Sequence, residues 1–363
     1  MLKLFRAPHN YIQGKDALLE TYDNVKDFGK SFLFVCSRSA HKQARPLIEK
    51  SFEGKDNKII FEIFGGVSSN GEIERMRKIV RENKIDVVCG AGGGSAIDTA
   101  KATAYYEKLP VVIIPTVAAT DAPCTGLSVI YNDDGSFDKY IFYPKNPDVV
   151  IVDTSIISKA PVKFLVAGMG DALGTYFEAR ACVASNALSL ENGGITKSAL
   201  ALCELCYETL LRDGLKAKQA VEHGLLTPAV ESIIEANTFL SGVGADNGGL
   251  AVSHSVYNGF TALEECEATQ HGSIVAFGTI AQLLLENASL DEIEEVVHFC
   301  ISVGLPITLG EIGVTDAERV HIAAEKACAP GESIHNLLGD VTPDALYDAL
   351  IAADVLGKTY LNA

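Results

Sequence analysis

Ile85-Asp-Val-Val-Cys-Gly90-Ala-Gly92-Gly93-Gly94-Ser95-Ala96-Ile97-Asp98-Thr99-Ala100-Lys101 joins an apolar run to a helix through three consecutive glycines. Residues Ile85–Gly90 read as a buried strand, and the helix is expected from Ala96. Glycines lack a Cβ, so their backbone N–H groups can approach a phosphate closely. The start of a helix adds oriented donors and a favourable dipole. The pattern departs from G-x-G-x-x-G because Ser95 stands where the third glycine would be. A tight strand-to-helix turn is the plainer reading, but such a turn needs fewer than three glycines. The segment points to a pyrophosphate site.

On either side of this turn the chain alternates between strand and helix. Phe32–Cys36, Lys58–Phe64, Val111–Pro115 and Val149–Asp153 are short apolar runs, as expected of strands covered by helices on both faces. Gly71–Asn83 places Ile73, Met76, Ile79 and Val80 at helical spacing. This rhythm predicts a doubly wound parallel sheet. Leu127–Tyr131 and Lys139–Tyr143 flank Asn-Asp-Asp-Gly and predict a β-hairpin inserted beside the sheet. From Pro161 onward, strand-like runs give way to Ala-, Leu- and Glu-rich segments. Breaks are expected at Gly193-Gly194, Asp213-Gly214, Gly248-Gly249, Gly304 and Pro343. The expectation is an α/β nucleotide-binding domain over residues 1–160 and an all-helical metal and substrate domain over 161–363.

Length supports two domains, since 363 residues exceed one ordinary domain and 48% apolar residues fill sizeable cores. The 47 acidic against 30 basic residues give a net charge of −17, which repels nucleic-acid phosphates and anionic lipids and argues against either partner. Met1-Leu-Lys-Leu-Phe-Arg6-Ala-Pro8 lacks the apolar core and cleavage site of a signal peptide. No stretch approaches the roughly 20 apolar residues of a transmembrane helix. The nine cysteines are scattered and odd in number, which fits reduced thiols in the cytoplasm rather than a disulfide framework.

Four residues stand out as candidates for chemistry. Asp121 lies in Ile114–Pro123, a loop of small and hydroxyl-bearing residues leaving a strand end, where open parallel sheets bind ligands. It is either a turn former or a carboxylate that orients a hydroxylated substrate. Asp171 is the lone carboxylate of the stretch Gly168-Met-Gly-Asp171-Ala-Leu-Gly174. It is either a helix N-cap or the partner of a cation, donor cluster or metal, because an unpaired buried carboxylate is costly. His254 and His271 sit among small or apolar residues, and their spacing is no ligand motif. Taken singly each is commonly structural, yet one carboxylate with two histidines makes a sensible open zinc site. Cys203-x-x-Cys206 has no second cysteine pair at zinc-ribbon spacing and reads as helix core.

Together these stretches resemble the glycerol dehydrogenase branch of the iron-containing alcohol dehydrogenase superfamily over nearly the whole chain. Tyr11-Ile-Gln-Gly14, Gly92-Gly93-Gly94, Asp98-Thr99-Ala100-Lys101, Thr120-Asp121-Ala122-Pro123-Cys124, Gly170-Asp171-Ala172-Leu173 and Phe177-Glu178-Ala179-Arg180 carry the likeness. Glu235-Ala236-Asn237-Thr238, Ser241-Gly242-Val243-Gly244 and Gly304-Leu-Pro-Ile-Thr-Leu309 extend it. The resemblance implies a dehydroquinate synthase-like fold and oxidation of glycerol or related diols with NAD in a cytoplasmic homo-oligomer, an octamer. It implies zinc bound by Asp171, His254 and His271, with Asp121 and His254 contacting the substrate. Ser37, Gly92, Gly93, Gly94, Ser95, Thr116, Ala119, Thr125, Leu127 and Tyr131 fall at its cofactor-binding positions. Related iron enzymes carry a histidine where this chain has Thr175, which favours the three-ligand zinc branch. The family often carries Lys at Ser95, and often an aspartate that holds the adenosine ribose hydroxyls at Ser37. Without that carboxylate, and with Arg38 next to it, NADP is the alternative cofactor.

Overall fold

The computed structural model describes residues 2–362, which divide into two compact units. One unit comprises Arg6–Pro161 and Ala220–Gly242. Its centre is a parallel sheet of six strands: β1 (Asn10–Gly14), β2 (Ser31–Cys36), β3 (Lys58–Ile63), β4 (Val87–Gly92), β5 (Val111–Pro115) and β8 (Val149–Asp153). They lie in the order β1-β8-β5-β4-β2-β3. Every residue of β2, β4, β5 and β8 is buried, which explains why they are apolar except for Ser31 and Asp153 at two of their ends. The chain moves from β2 to β3 on one side and from β4 to β5 on the other, so the strand order reverses between β2 and β4. Ligands of open α/β sheets bind at the carboxyl ends of the strands flanking such a reversal.

Strand β4 begins at Val87, two residues later than the sequence suggests, and runs through Gly92, which pairs with Pro115. Ile85 instead closes the preceding helix by donating to Val80 O. The next helix, α1 (Gly94–Glu107), begins two residues earlier than expected. Gly90 lets α1 lie close to the sheet, because a Cβ there would stand 2.6 Å from the Ala100 Cβ. Strand β1 has no counterpart in the sequence reading. It is a half-exposed edge strand held by β8, and five residues of mixed polarity carry little periodic signal. The hairpin pairs β6 (Leu127–Tyr131) with an exposed β7 (Phe137–Phe142). Buried Asp98 of α1 fastens it by accepting from Val129 N at 3.2 Å, and burial pushes Asp98 up to about 6 although Lys101 pulls the other way. The helix Pro228–Glu235 belongs to this unit too, where Gln13 and Thr154 both bond the Glu231 side chain.

The other unit takes in the chain up to Phe5, Val162–Gln219 and the residues from Val243 onward, and is helical. Three of its helices position the residues of interest: α2 (Val162–Ser185), α3 (Val252–Phe260) and α4 (His271–Leu285). The break expected at Asp213-Gly214 is absent, because both residues lie inside the 26-residue helix Lys197–Glu222. That glycine serves packing instead, since a Cβ there would stand 2.8 Å from the Phe299 ring. Gly304 does end a helix, in the left-handed conformation at φ 82°, and Pro343 begins one. Among the described residues no helix is long and apolar enough to cross a membrane.

Helices α2 and α4 touch backbone to backbone. A Cβ on Gly272 would lie 1.8 Å from Ala167 O, and one on Gly170 would lie 2.3 Å from Gly272 O. Gly272→Ala is therefore expected to force the two helices apart and cost about 2–4 kcal/mol of stability. Urea unfolding of variant and parent measures it, and a loss below about 0.5 kcal/mol would show that the crossing yields freely.

Candidate functional site

The glycine crossing sets Asp171 against His271, because each is the residue next to one of the touching glycines. Asp171 lies in the middle of α2, so the N-cap reading of this residue is excluded. His254 is in the first turn of α3 and His271 is the first residue of α4. Asp171 Oδ1 stands 3.0 Å from His271 Nε2 and 3.4 Å from His254 Nε2. One ligand atom from each of the three residues falls within 4.8 Å of the others. Burial works against the Asp171 charge, but His271 and His254 outweigh it and hold the carboxyl below the usual range. Burial likewise opposes a charge on His254, but Glu178 and Asp171 raise it well above an ordinary histidine. The rings of Tyr257 and His271 pack in a T-shaped arrangement, with their centroids 4.0 Å apart.

Glu178 organises this cluster although sequence reasoning gave it no role. It lies seven residues, about two turns, beyond Asp171 on α2 and is fully buried. Its Oε1 accepts the backbone N–H groups of Ala251 (2.8 Å) and His254 (2.9 Å) at the start of α3. Its Oε2 lies 2.6 Å from His254 Nδ1. With the proton of Nδ1 donated to that carboxylate, Nε2 is the nitrogen turned toward Asp171, and loss of its proton would free a lone pair there for a metal. The i, i+7 spacing of two acidic residues in an apolar helix is the signal that would have found it.

The donor set fits a zinc ion. Ligands about 2.0 Å from a tetrahedral zinc stand about 3.3 Å apart, close to the 3.0 and 3.4 Å separations here. Two imidazoles and one carboxylate leave one position open, and a carboxylate orients one of the histidines. Thr175, one turn beyond Asp171, is buried and carries a hydroxyl where a histidine would add a third nitrogen.

The other candidates lie in the sheet unit, at the carboxyl ends of β2, β4 and β5. Ser37 N donates to Ala91 O at 2.9 Å and Thr116 N to Gly92 O at 3.0 Å, which joins the ends of the three strands. A Cβ on Gly92 would stand 3.0 Å from Ser37, and its φ of +154° is one that L side chains rarely adopt, so glycine is favoured there. At Gly93 and Gly94 the nearest atoms to a Cβ would be 3.6 and 3.7 Å away, and Ser95 is exposed. No side chain caps the N-terminus of α1, and glycine there lets a ligand approach its backbone N–H groups, which favour an anion. Ser37 Oγ accepts from Ala40 N at 3.2 Å, capping the helix that Arg38 begins. Asp121, Ala119 and Thr125 follow on the loop after β5, and Leu127 and Tyr131 on β6. Asp121 belongs to the sheet unit, and Asp171, His254 and His271 to the helical one. Cys203 and Cys206 are both buried in the helical unit.

A family model for iron-containing alcohol dehydrogenases matches residues 8–154. The chain is 48% identical to a glycerol dehydrogenase of Citrobacter freundii, over 99% of this chain and all of that one. The structure is similar to that of a probable glycerol dehydrogenase from Sinorhizobium meliloti 1021, with a TM-score of 0.93, 40% identity, and coverage of 98% of this chain and 99% of the other. It also resembles the glycerol dehydrogenase structure from Schizosaccharomyces pombe, with a TM-score of 0.95, 35% identity, and coverage of 99% and 92%.

Glu178→Gln keeps the shape of the side chain and removes its charge. Zinc affinity, measured by competition with a chromophoric chelator, is expected to fall about 10–100-fold while the protein stays folded. Unchanged affinity would reduce Glu178 to a helix cap.

Proposed function

The chain belongs to the iron-containing alcohol dehydrogenase family, in its glycerol dehydrogenase branch, and on that basis we propose that it oxidises glycerol to dihydroxyacetone with NAD and one zinc ion. The observation that carries this reading is the convergence of Asp171, His254 and His271 within 4.8 Å, around a buried carboxylate that would otherwise be costly. When bound, zinc polarises a substrate hydroxyl and NAD accepts the hydride. The protein's own residues supply placement. Asp171, His254 and His271 hold the metal, and Glu178 keeps Nε2 of His254 directed at it. Asp121 accepts a hydrogen bond from a substrate hydroxyl and orients it. Gly92, Gly93, Gly94 and Ser95 hold the dinucleotide pyrophosphate at the N-terminus of α1, and Thr116, Ala119, Thr125, Leu127 and Tyr131 contact the rest of it.

Ser37 bears on the choice of dinucleotide. Its short hydroxyl, already capping a helix, neither repels a 2′-phosphate nor reaches as an aspartate would, and Arg38 beside it is exposed. NADP is the second reading for that reason. Cytoplasmic operation fits nine cysteines without a disulfide, eight of them buried. The family likeness supports assembly as a homo-oligomer, an octamer.

The test begins with protein stripped of metal. Restoring zinc should restore glycerol oxidation, read as reduced-cofactor absorbance, with NAD preferred over NADP. Asp171→Asn should lose zinc and turnover together, by at least about 100-fold in each. An active variant with full zinc content would refute the ligand assignment. Zinc-loaded protein inert toward glycerol, but active on another diol, hydroxyketone or aldehyde, would refute the substrate.

A further inference from the structure

Lys101 lies on α1, about two turns beyond the glycines, and is only 2% exposed. A buried ammonium is costly unless its donors are met. Its Nζ donates to Thr125 O at 3.0 Å, Thr125 Oγ1 at 3.2 Å and Leu127 O at 2.8 Å, three acceptors for three N–H groups. The Asp98 carboxylate stands back at 3.9 Å and accepts instead from Val129 N. Both buried charges of the helix thus address one stretch of chain, residues 125–129.

That stretch ends the loop that starts at Thr116. The near half of the loop has its own anchors: Asn237 Nδ2 donates to Ala118 O at 3.0 Å, and Gly242 leaves only 2.7 Å between a Cβ position and Asp121 O. Toward the far half, Asn146 Nδ2 holds Cys124 O at 2.8 Å. Beyond it, Lys101 supplies the side-chain donors that reach Thr125 and Leu127.

We propose that Lys101 is a positioning residue for the dinucleotide, fixing Thr125 and Leu127 relative to the glycine turn at the start of its own helix. A ligand that touches both the turn and these two residues then meets a preset distance, and less ordering is left to binding. The proposal rests on reading these positions as the dinucleotide site. Because Lys101 bonds Thr125 and Leu127 directly and not Asp121, the effect of losing it falls on the cofactor more than on the substrate.

Lys101→Met keeps the length of the side chain and removes its donors. Calorimetric titration of the zinc-loaded variant should show NAD Kd raised about tenfold or more, with zinc affinity unchanged and KM for NAD raised more than KM for glycerol. General loosening of the fold would instead lower the folded fraction and leave the Kd of that fraction alone. A folded variant with NAD Kd within about twofold of the parent overturns the proposal, as does an equal loss of zinc and NAD affinity. If the single variant does not fold, the double variant Asp98→Asn/Lys101→Met removes both buried charges and takes the same titration. A parent protein that binds neither NAD nor NADP would refute the dinucleotide reading itself, and this proposal with it.

Discussion

Two glycines facing each other across a helix crossing are the constraint on which the helical unit depends. Gly170 on α2 and Gly272 on α4 leave no room for any side chain between the helices. The neighbours of these glycines, Asp171 and His271, are thereby brought to 3.0 Å. Backbone contact of this kind is rigid, because neither helix has a side chain there that can rotate out of the way. A carboxylate in such a place cannot be hydrated, so its stability depends on the imidazoles set around it. The same closeness that makes the site costly to build suits a small cation with few ligands.

Glu178 shows how one buried charge can serve several elements at once. Its two oxygens meet two backbone N–H groups and one imidazole nitrogen, so the start of α3 and the orientation of His254 are set together. A helix N-terminus favours a negative charge, and here that charge comes from a different helix. The sheet unit uses the same economy in reverse. Asp98 and Lys101 leave the sheet on α1 and reach the hairpin, so the element that starts at the phosphate turn also holds the chain segment beyond it.

Much of the sheet unit was legible because buried parallel strands are short, apolar and separated by helices of different periodicity. The glycine turn and the hairpin carried local signals of their own. Strand β1 did not, since an edge strand needs only one partner and tolerates polar residues. Gly214 was misread as a break because a glycine required by a neighbouring helix looks, in sequence, like one that ends its own. Asp171 kept two readings open for a similar reason: capping and ligation both place a carboxylate among small residues, and only its mid-helix position separates them.

By itself the sequence determined the alternation of strands and helices, the phosphate-suited turn after β4, the helical second half, and the residue types able to hold zinc. These are local properties, written in periodicity, glycine placement and chemical type. Tertiary structure alone decided that residues 171, 254 and 271 meet, that Glu178 directs His254, and that Lys101 spans from its helix to the loop before the hairpin. Each of these joins residues at least 17 positions apart. No local pattern encodes such distances, because they are set by how closely whole helices and strands can pack.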